Sequence, residues 1–303
     1  MTTPDELLKI EKEILEKVVG SWKADVGAIK EMVLTLAAQV DNGDMSVIVD
    51  QVLAAIMALD VPSNMDDEAL RGVDVAHGFG QSVVSEALDA DDLPDIAVSN
   101  NSKKAVKGLS EGALTALQEA KDNLSRPLVG SGLQSILTAV NPLLQNPAKV
   151  EAAVVWSVNN ASNSAVSKLS LKMGETMTWI SERDGCVHCL AYSGERSGLT
   201  GFPKGLTFGS KPLATEGTLP HPPLHPHCRC TIEPGITDDY ADALKRESVR
   251  SILRGFKMES ESEKVRIDAA KALLETDPVA PASVKKYAKR RINNYEAKKE
   301  LRK

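Results

Sequence analysis

Apolar residues recur every three or four positions along most of this chain, the signature of helices that bury one face. Leu7, Leu8, Ile14, Leu15, Val18 and Val19 set the first stripe. It is opened by Thr3, Pro4, Asp5 and Glu6: a hydroxyl cap, a proline in the first turn and acids at the positive end of the helix dipole. A second stretch, residues 24–40, has the same spacing and is stopped by Asp41-Asn42-Gly43-Asp44. Residues 45–59 are strongly apolar and end before Pro62, and residues 63–88 predict a further helix with Asp66, Asp67 and Glu68 in its first turn. Residues 89–99 hold four Asp and a Pro and predict a solvated loop. Helical spacing resumes over residues 103–124, 132–144 and 147–173, where Val154, Val158, Ala161, Ala165 and Leu169 form one stripe suited to packing between helices.

At Gly174 the texture changes. Residues 175–181 alternate like a short strand. Residues 191–235 then contain 14 of the chain's 35 Gly and Pro residues, too many for helix. A loop of that length inside a compact domain is normally functional or held by something else. Beyond Gly235 the helical pattern returns over residues 238–256, 260–275 and 283–302. The pattern predicts a mainly α protein in three parts: a helical domain over 1–175, a small β-hairpin and loop module over 176–236, and a helical tail over 237–303.

Composition agrees with that class. The chain has 303 residues, 42% hydrophobic and 26% charged, enough for about two domains with a substantial core, which excludes a disordered or fibrous chain. Only 4% is aromatic, which favours helices over sandwiches and barrels. Without a basic, apolar leader or an 18-residue apolar run, neither a signal peptide nor a membrane span is expected, and the chain is expected to be made in a reducing cytoplasm. The net charge of −6 hides a division: residues 1–100 carry 20 acidic and 6 basic side chains, the remainder 22 acidic and 30 basic. The two ends are therefore expected to face different partners.

All four cysteines fall between Cys186 and Cys230, together with four of the five histidines. Cys186 and Cys189 form a C-x2-C knuckle, whose spacing lets one tight turn aim two thiolates at a single tetrahedral ion. The distal half, Leu224-His225-Pro226-His227-Cys228-Arg229-Cys230, offers His225 with Cys228, His227 with Cys230, or Cys228 with Cys230 as the second pair. Thiolates with or without an imidazole select zinc over magnesium or calcium, with iron also compatible on ligand type. Four protein ligands leave no open position, so the expected site is structural. Zinc binding worth on the order of 10 kcal/mol would fold a Gly/Pro-rich loop that lacks a core of its own. Its removal is expected to melt residues 186–230 and spare the N-terminal helices. Arg183 and Arg229 flank the ligands and are read as compensating thiolate charge and capping loop carbonyls.

The run Asp184-x-Cys186-x-x-Cys189, then Gly194, then Pro222-Pro223-Leu224-His225-Pro226-x-Cys228-Arg229-Cys230-Thr231 resembles the signature of the phage Mu F-like minor head protein family, also called phage head morphogenesis proteins. The resemblance covers about residues 150–235. It implies a minor component of a tailed-phage head that sits inside the head near the portal and assists head assembly, DNA packaging or DNA ejection. The implied partners are the portal protein, with the major capsid or scaffolding protein as further candidates. In the family pattern His225 and Cys228 fall on strongly marked positions and His227 on a variable one. The implied ligand set is therefore Cys186, Cys189, His225 and Cys228, with Cys230 as first replacement, and His188 and His221 are expected to face solvent.

Residues 284–303 carry nine basic and two acidic side chains, among them Lys285, Lys286, Lys289, Arg290, Arg291, Lys298 and Lys299. Such a helix suits sequence-independent, salt-dependent contact with double-stranded DNA. The acidic N-terminal helices would be repelled by DNA and suit contact with a protein such as the portal. An HNH-like zinc-stapled nuclease is the enzymatic alternative, because Arg183-Asp184-Gly185-Cys186-x-x-Cys189 resembles its start. The Asp-His or His-His pair that would activate water does not follow. A zinc-ribbon adaptor would account for the cysteines but not for the Pro-Pro-Leu-His-Pro run. No His-x-Glu of zinc deaminases, Walker-type loop or Gly-x-Ser-x-Gly elbow occurs. The expectation is a non-enzymatic protein.

Overall fold

The structure, a computed structural model, describes residues 4–39, 45–128, 132–182, 185–198, 200–206, 219–254, 263–276 and 282–300. Thr3, the stop signal at 41–44, Arg183 and the side chain of Lys298 lie outside the described residues. Among the described residues the order is α1 (Pro4–Gln39), α2 (Met45–Met57), α3 (Met65–Leu88), α4 (Asn100–Ala105), α5 (Leu109–Leu124), α6 (Leu133–Met173), β1 (Met177–Ile180), α7 (Val187–Tyr192), β2 (Thr231–Pro234), α8 (Asp238–Arg254), α9 (Glu263–Thr276) and α10 (Ala282–Glu300). The chain is mainly α. No described helix is long and apolar enough to cross a membrane.

Two compact units form, and they differ from the three linear parts the pattern suggests. An all-helical unit comprises Lys9–Val75 and Asn100–Val158, and a strand-bearing unit comprises Met1–Leu8, Ala76–Ser99 and Asn159–Lys303. Burial explains the difference. Val83 and Val84 of α3, Ile96, and Ala165, Val166 and Leu169 of α6 share one core cluster with Met177, Trp179 and Ile232 of the strands. A boundary at residue 175 would cut through it.

The two stretches read near the N-terminus form one 36-residue helix, α1, because buried Trp22 carries the apolar stripe across to Val26 and Ile29. Trp22 Nε1 donates to Asn146 Oδ1 at 2.9 Å, and Asn146 Nδ2 donates to the Gly112 carbonyl at 3.2 Å. The helix expected over 103–124 is instead split into α4 and α5. Gly108 turns left-handed (φ 80°), and Asp66 accepts from the Gly108 amide at 2.6 Å and the Ser110 amide at 2.9 Å. A carboxylate from α3 thus caps the start of α5, where free amides and the helix dipole favour negative charge. Pro142 and Pro147 lie inside the single 41-residue α6 rather than between two helices. Buried Val140, Leu143 and Val150 keep its face packed across the amides that the prolines lack.

In the strand-bearing unit, β1 and β2 pair antiparallel, with Met177 opposite Pro234 and Ile180 opposite Thr231. All four β1 residues are buried, so the strand does not alternate as a half-exposed strand would. Its second edge is also occupied: the Trp179 amide donates to the Glu195 carbonyl at 2.9 Å, and the Ser197 amide to the Met177 carbonyl at 2.8 Å. α3 and α6 approach closely at Gly80, where an added Cβ would lie 2.4 Å from the Ser162 carbonyl oxygen. Residues 90–99 form no regular element, and Asp91, Asp92 and Asp95 are exposed as expected. The segment is nevertheless pinned, with Ile96 buried and Lys172 and Lys168 donating to the Asp95 and Ala97 carbonyls, each at 2.9 Å.

Candidate metal centre

Cys186 is the N-cap of α7 and Cys189 its third residue, so one helical turn presents both sulfurs on the same side. From the distal loop, His225 places Nε2 at 3.1 Å from Cys186 Sγ and 3.2 Å from Cys189 Sγ. Its other nitrogen, Nδ1–H, donates to the Pro226 carbonyl at 2.7 Å, which fixes the ring and leaves Nε2 to face the sulfurs. The Cys228 amide donates to the His225 carbonyl at 3.1 Å, and left-handed His227 (φ 62°) turns the chain so that Cys228 Sγ lies 3.6 Å from Cys189 Sγ. Two groups result, Cys186–Cys189–His225 and Cys189–Cys228–Cys230, and within each the ligand atoms lie within 4.8 Å of one another. Cys189 belongs to both.

Donor chemistry and spacing fit a soft divalent ion. Sulfur and nitrogen ligands at about 2.3 and 2.0 Å from a tetrahedral centre lie roughly 3.5–3.8 Å apart. The closest pairs here, at 3.1 to 3.6 Å, approach that range. A metal ion could be held by Cys186, Cys189 and His225 or by Cys189, Cys228 and Cys230, with Cys189 common to both.

The cluster is electrically divided. Hydrogen bonding from Cys189, with His225 beside it, holds the Cys186 thiol down to about 3. The same Cys186 contact pushes His225 up to about 9. Hydrogen bonding from Cys189 also holds Cys228 low, whereas its contact with Cys186 pushes Cys189 up and burial pushes Cys230 up. The cluster thus favours charge on Cys186 and Cys228 and disfavours it on Cys189 and Cys230.

The surroundings are apolar and aromatic. Cys189, Cys228 and Cys230 are buried in one cluster with Trp179, Tyr192 and Phe202. Trp179 packs on Tyr192 at 4.8 Å and edge-on to Phe202 at 5.1 Å. Ser181 Oγ donates to the Cys189 carbonyl and lies 3.7 Å from Cys230 Sγ. From α6, Asn163 Nδ2 donates to the Cys230 carbonyl at 3.0 Å while its Oδ1 accepts from the Ile232 amide at 3.0 Å.

His227 is exposed and in neither group, so the His227 and Cys230 pairing does not form. His188 and His221, expected to face solvent, are half-buried; burial lowers His221, whose Nδ1–H donates to the Pro222 carbonyl. Arg229 is half-buried. Residue-type motifs did not reveal Asn163, Trp179 or Ser181. The run of Ser and Asn on the otherwise apolar 157–170 stretch was the available signal for Asn163, because a buried amide needs partners.

Of the basic residues on α10, Lys286, Lys289, Arg290 and Lys299 are exposed. Lys285 and Arg291 are half-buried, and Arg291 Nε donates to Tyr287 Oη at 2.7 Å with its guanidinium 5.4 Å from that ring.

No protein-family model, curated protein or solved structure matches the chain, so the family resemblance rests on the motif residues alone.

Proposed function

We infer that this chain is a non-enzymatic minor head protein of the Mu F-like type, acting inside a tailed-phage head near the portal, with one structural zinc ion. The carrying observation is that His225, 36 residues beyond Cys189, turns its Nε2 onto the C-x2-C pair while Cys228 closes on Cys189. These four side chains are the ones that the motif marks. Zinc bound there would staple β1, α7 and the distal loop around a segment rich in Gly and Pro. In this reading the zinc is a fold-making ion, because a fourth protein ligand leaves no position for water. The exposed Lys286, Lys289, Arg290 and Lys299 supply a nonspecific phosphate contact to packaged DNA, and the acidic N-terminal helices supply protein contact to the portal.

Metal analysis of the purified full chain tests the centre. One zinc per chain is expected, lost in Cys186→Ser and Cys228→Ser, and full-length protein without stoichiometric metal overturns it. Co-purification with portal rings tests the assembly role. Metal-dependent cleavage of plasmid DNA would overturn the non-enzymatic reading in favour of a nuclease.

A further inference from the structure

We propose that the knuckle helix α7 is the element through which the metal centre governs the docking of the C-terminal helices, so that metal loss frees α9 and basic α10 while the all-helical unit is unaffected. The inference rests on the metal reading above and concerns what the centre controls.

α7 has six residues, too few to persist as a helix without outside support. It has support on two sides. Cys186 and Cys189 face the ligand cluster, and Val187 and Leu190, one position along at the same three-residue spacing, face the opposite way into a separate core. Val187 is 0% and Leu190 1% exposed, and they pack with Val249 of α8, Ala269, Ala270 and Leu273 of α9, and Ala288 of α10. Three of those five partners are alanines, so α7 supplies two of the four large side chains buried in this core, with Leu274, Val284 and Ile292 partly buried against it. α9 packs along α8 and α10 along α9, and the core they share is completed by the apolar face of α7.

α8 has a second attachment that does not involve the ligands. Gly194 lies against α8 so closely that an added Cβ would be 2.2 Å from the Ala241 carbonyl oxygen. Lys245 pairs with Glu195 at 3.0 Å, and Arg196 with Asp238 at 2.8 Å. Residues 194–197 are in turn hydrogen-bonded to β1, with the Gly194 amide donating to the Trp179 carbonyl at 2.8 Å. Metal loss should therefore leave the first turns of α8 in place and loosen the core that joins Val187 and Leu190 to Val249 and the later turns of α8, freeing α9 and α10.

Hydrogen exchange on the full chain, with zinc content measured in the same sample before and after treatment with a strong chelator, reads this directly. Stripping the metal is expected to raise exchange at least tenfold in residues 187–192, 263–276 and 282–300, with residues 9–75, 100–158 and 238–245 unchanged. The double variant Val187→Ala/Leu190→Ala keeps every ligand. It should retain stoichiometric zinc and show the same release of residues 263–300. Stoichiometric metal whose removal leaves residues 263–300 protected overturns the coupling and leaves the metal reading standing. Loss of protection in residues 9–75 as well overturns the selective release. Protein that holds no zinc, as purified or after zinc addition, overturns the metal reading and this inference with it.

Discussion

Asn163 holds β2 and the residue just before it with two hydrogen bonds, accepting from Ile232 and donating to the carbonyl of Cys230. Asn163→Ala would leave both backbone groups buried and unpaired, a loss of about 2–4 kcal/mol in chemical denaturation. It should also weaken zinc retention, since Cys228 and Cys230 lead directly into that strand. Glu233, beside it, is buried enough to push its carboxyl up. The fold therefore holds its proton more tightly than the unfolded chain does, and stability from this group falls as pH rises past the ordinary value of 4.5. Glu233→Gln should raise Tm at pH 7, with the gain vanishing below about pH 4.5; a gain that persists in acid contradicts the burial argument. At the ligands the sign is opposite. In the zinc reading the ion would displace the His225 proton, held up to about 9, and the one on Cys189. Apparent affinity should rise from pH 6 to 8 with proton release on binding, measurable by calorimetry in buffers of differing ionisation enthalpy. That Cys186, Cys189, His225, Cys228 and Cys230 come together was legible in how closely Cys and His cluster in the sequence, although spacing alone left the second pair open. The role of Asn163 was not, because an amide takes its role from the distant backbone it bonds.

Element boundaries followed a similar logic. The stripes on α2, α3 and α8 predicted those helices to within a few residues, since local periodicity and caps suffice there. α5 began later than its stripe because its cap, Asp66, stands 42 residues upstream of Gly108. Read alone, Asp66 belongs to the first turn of its own helix. Asp66→Ala should cost about 1–2 kcal/mol, read as a lowered denaturation midpoint. α6 continued through Pro142 and Pro147 because packing outweighed two missing amides, a balance that local signals cannot weigh. Where α6 passes α3, Gly80→Ala would press a methyl group against the Ser162 carbonyl and destabilise by about 1–3 kcal/mol. An unchanged Tm for that variant would show that the two helices can move apart freely.

For the whole molecule, the charge division in the sequence survives as an exposed basic stripe on α10. If Lys286, Lys289, Arg290 and Lys299 each neutralise a phosphate, log K for duplex DNA should fall against log salt with a slope of roughly −3.6, and replacing three of them by Ala should leave roughly −0.9. A slope unmoved by the triple variant would place DNA contact elsewhere. Mainly helical class was legible from composition and periodicity, but the division into units was not, because it depends on which distant apolar faces meet. That interleaving also sets an order of events during synthesis. A ribosome completes the all-helical unit once residue 158 has emerged, whereas Val83, Val84 and Ile96 have no finished core until Ile232 has been translated. For that interval the nascent chain has every residue of one unit and an open apolar seam in the other, and the seam closes only once Cys228, Cys230 and Ile232 have left the exit tunnel.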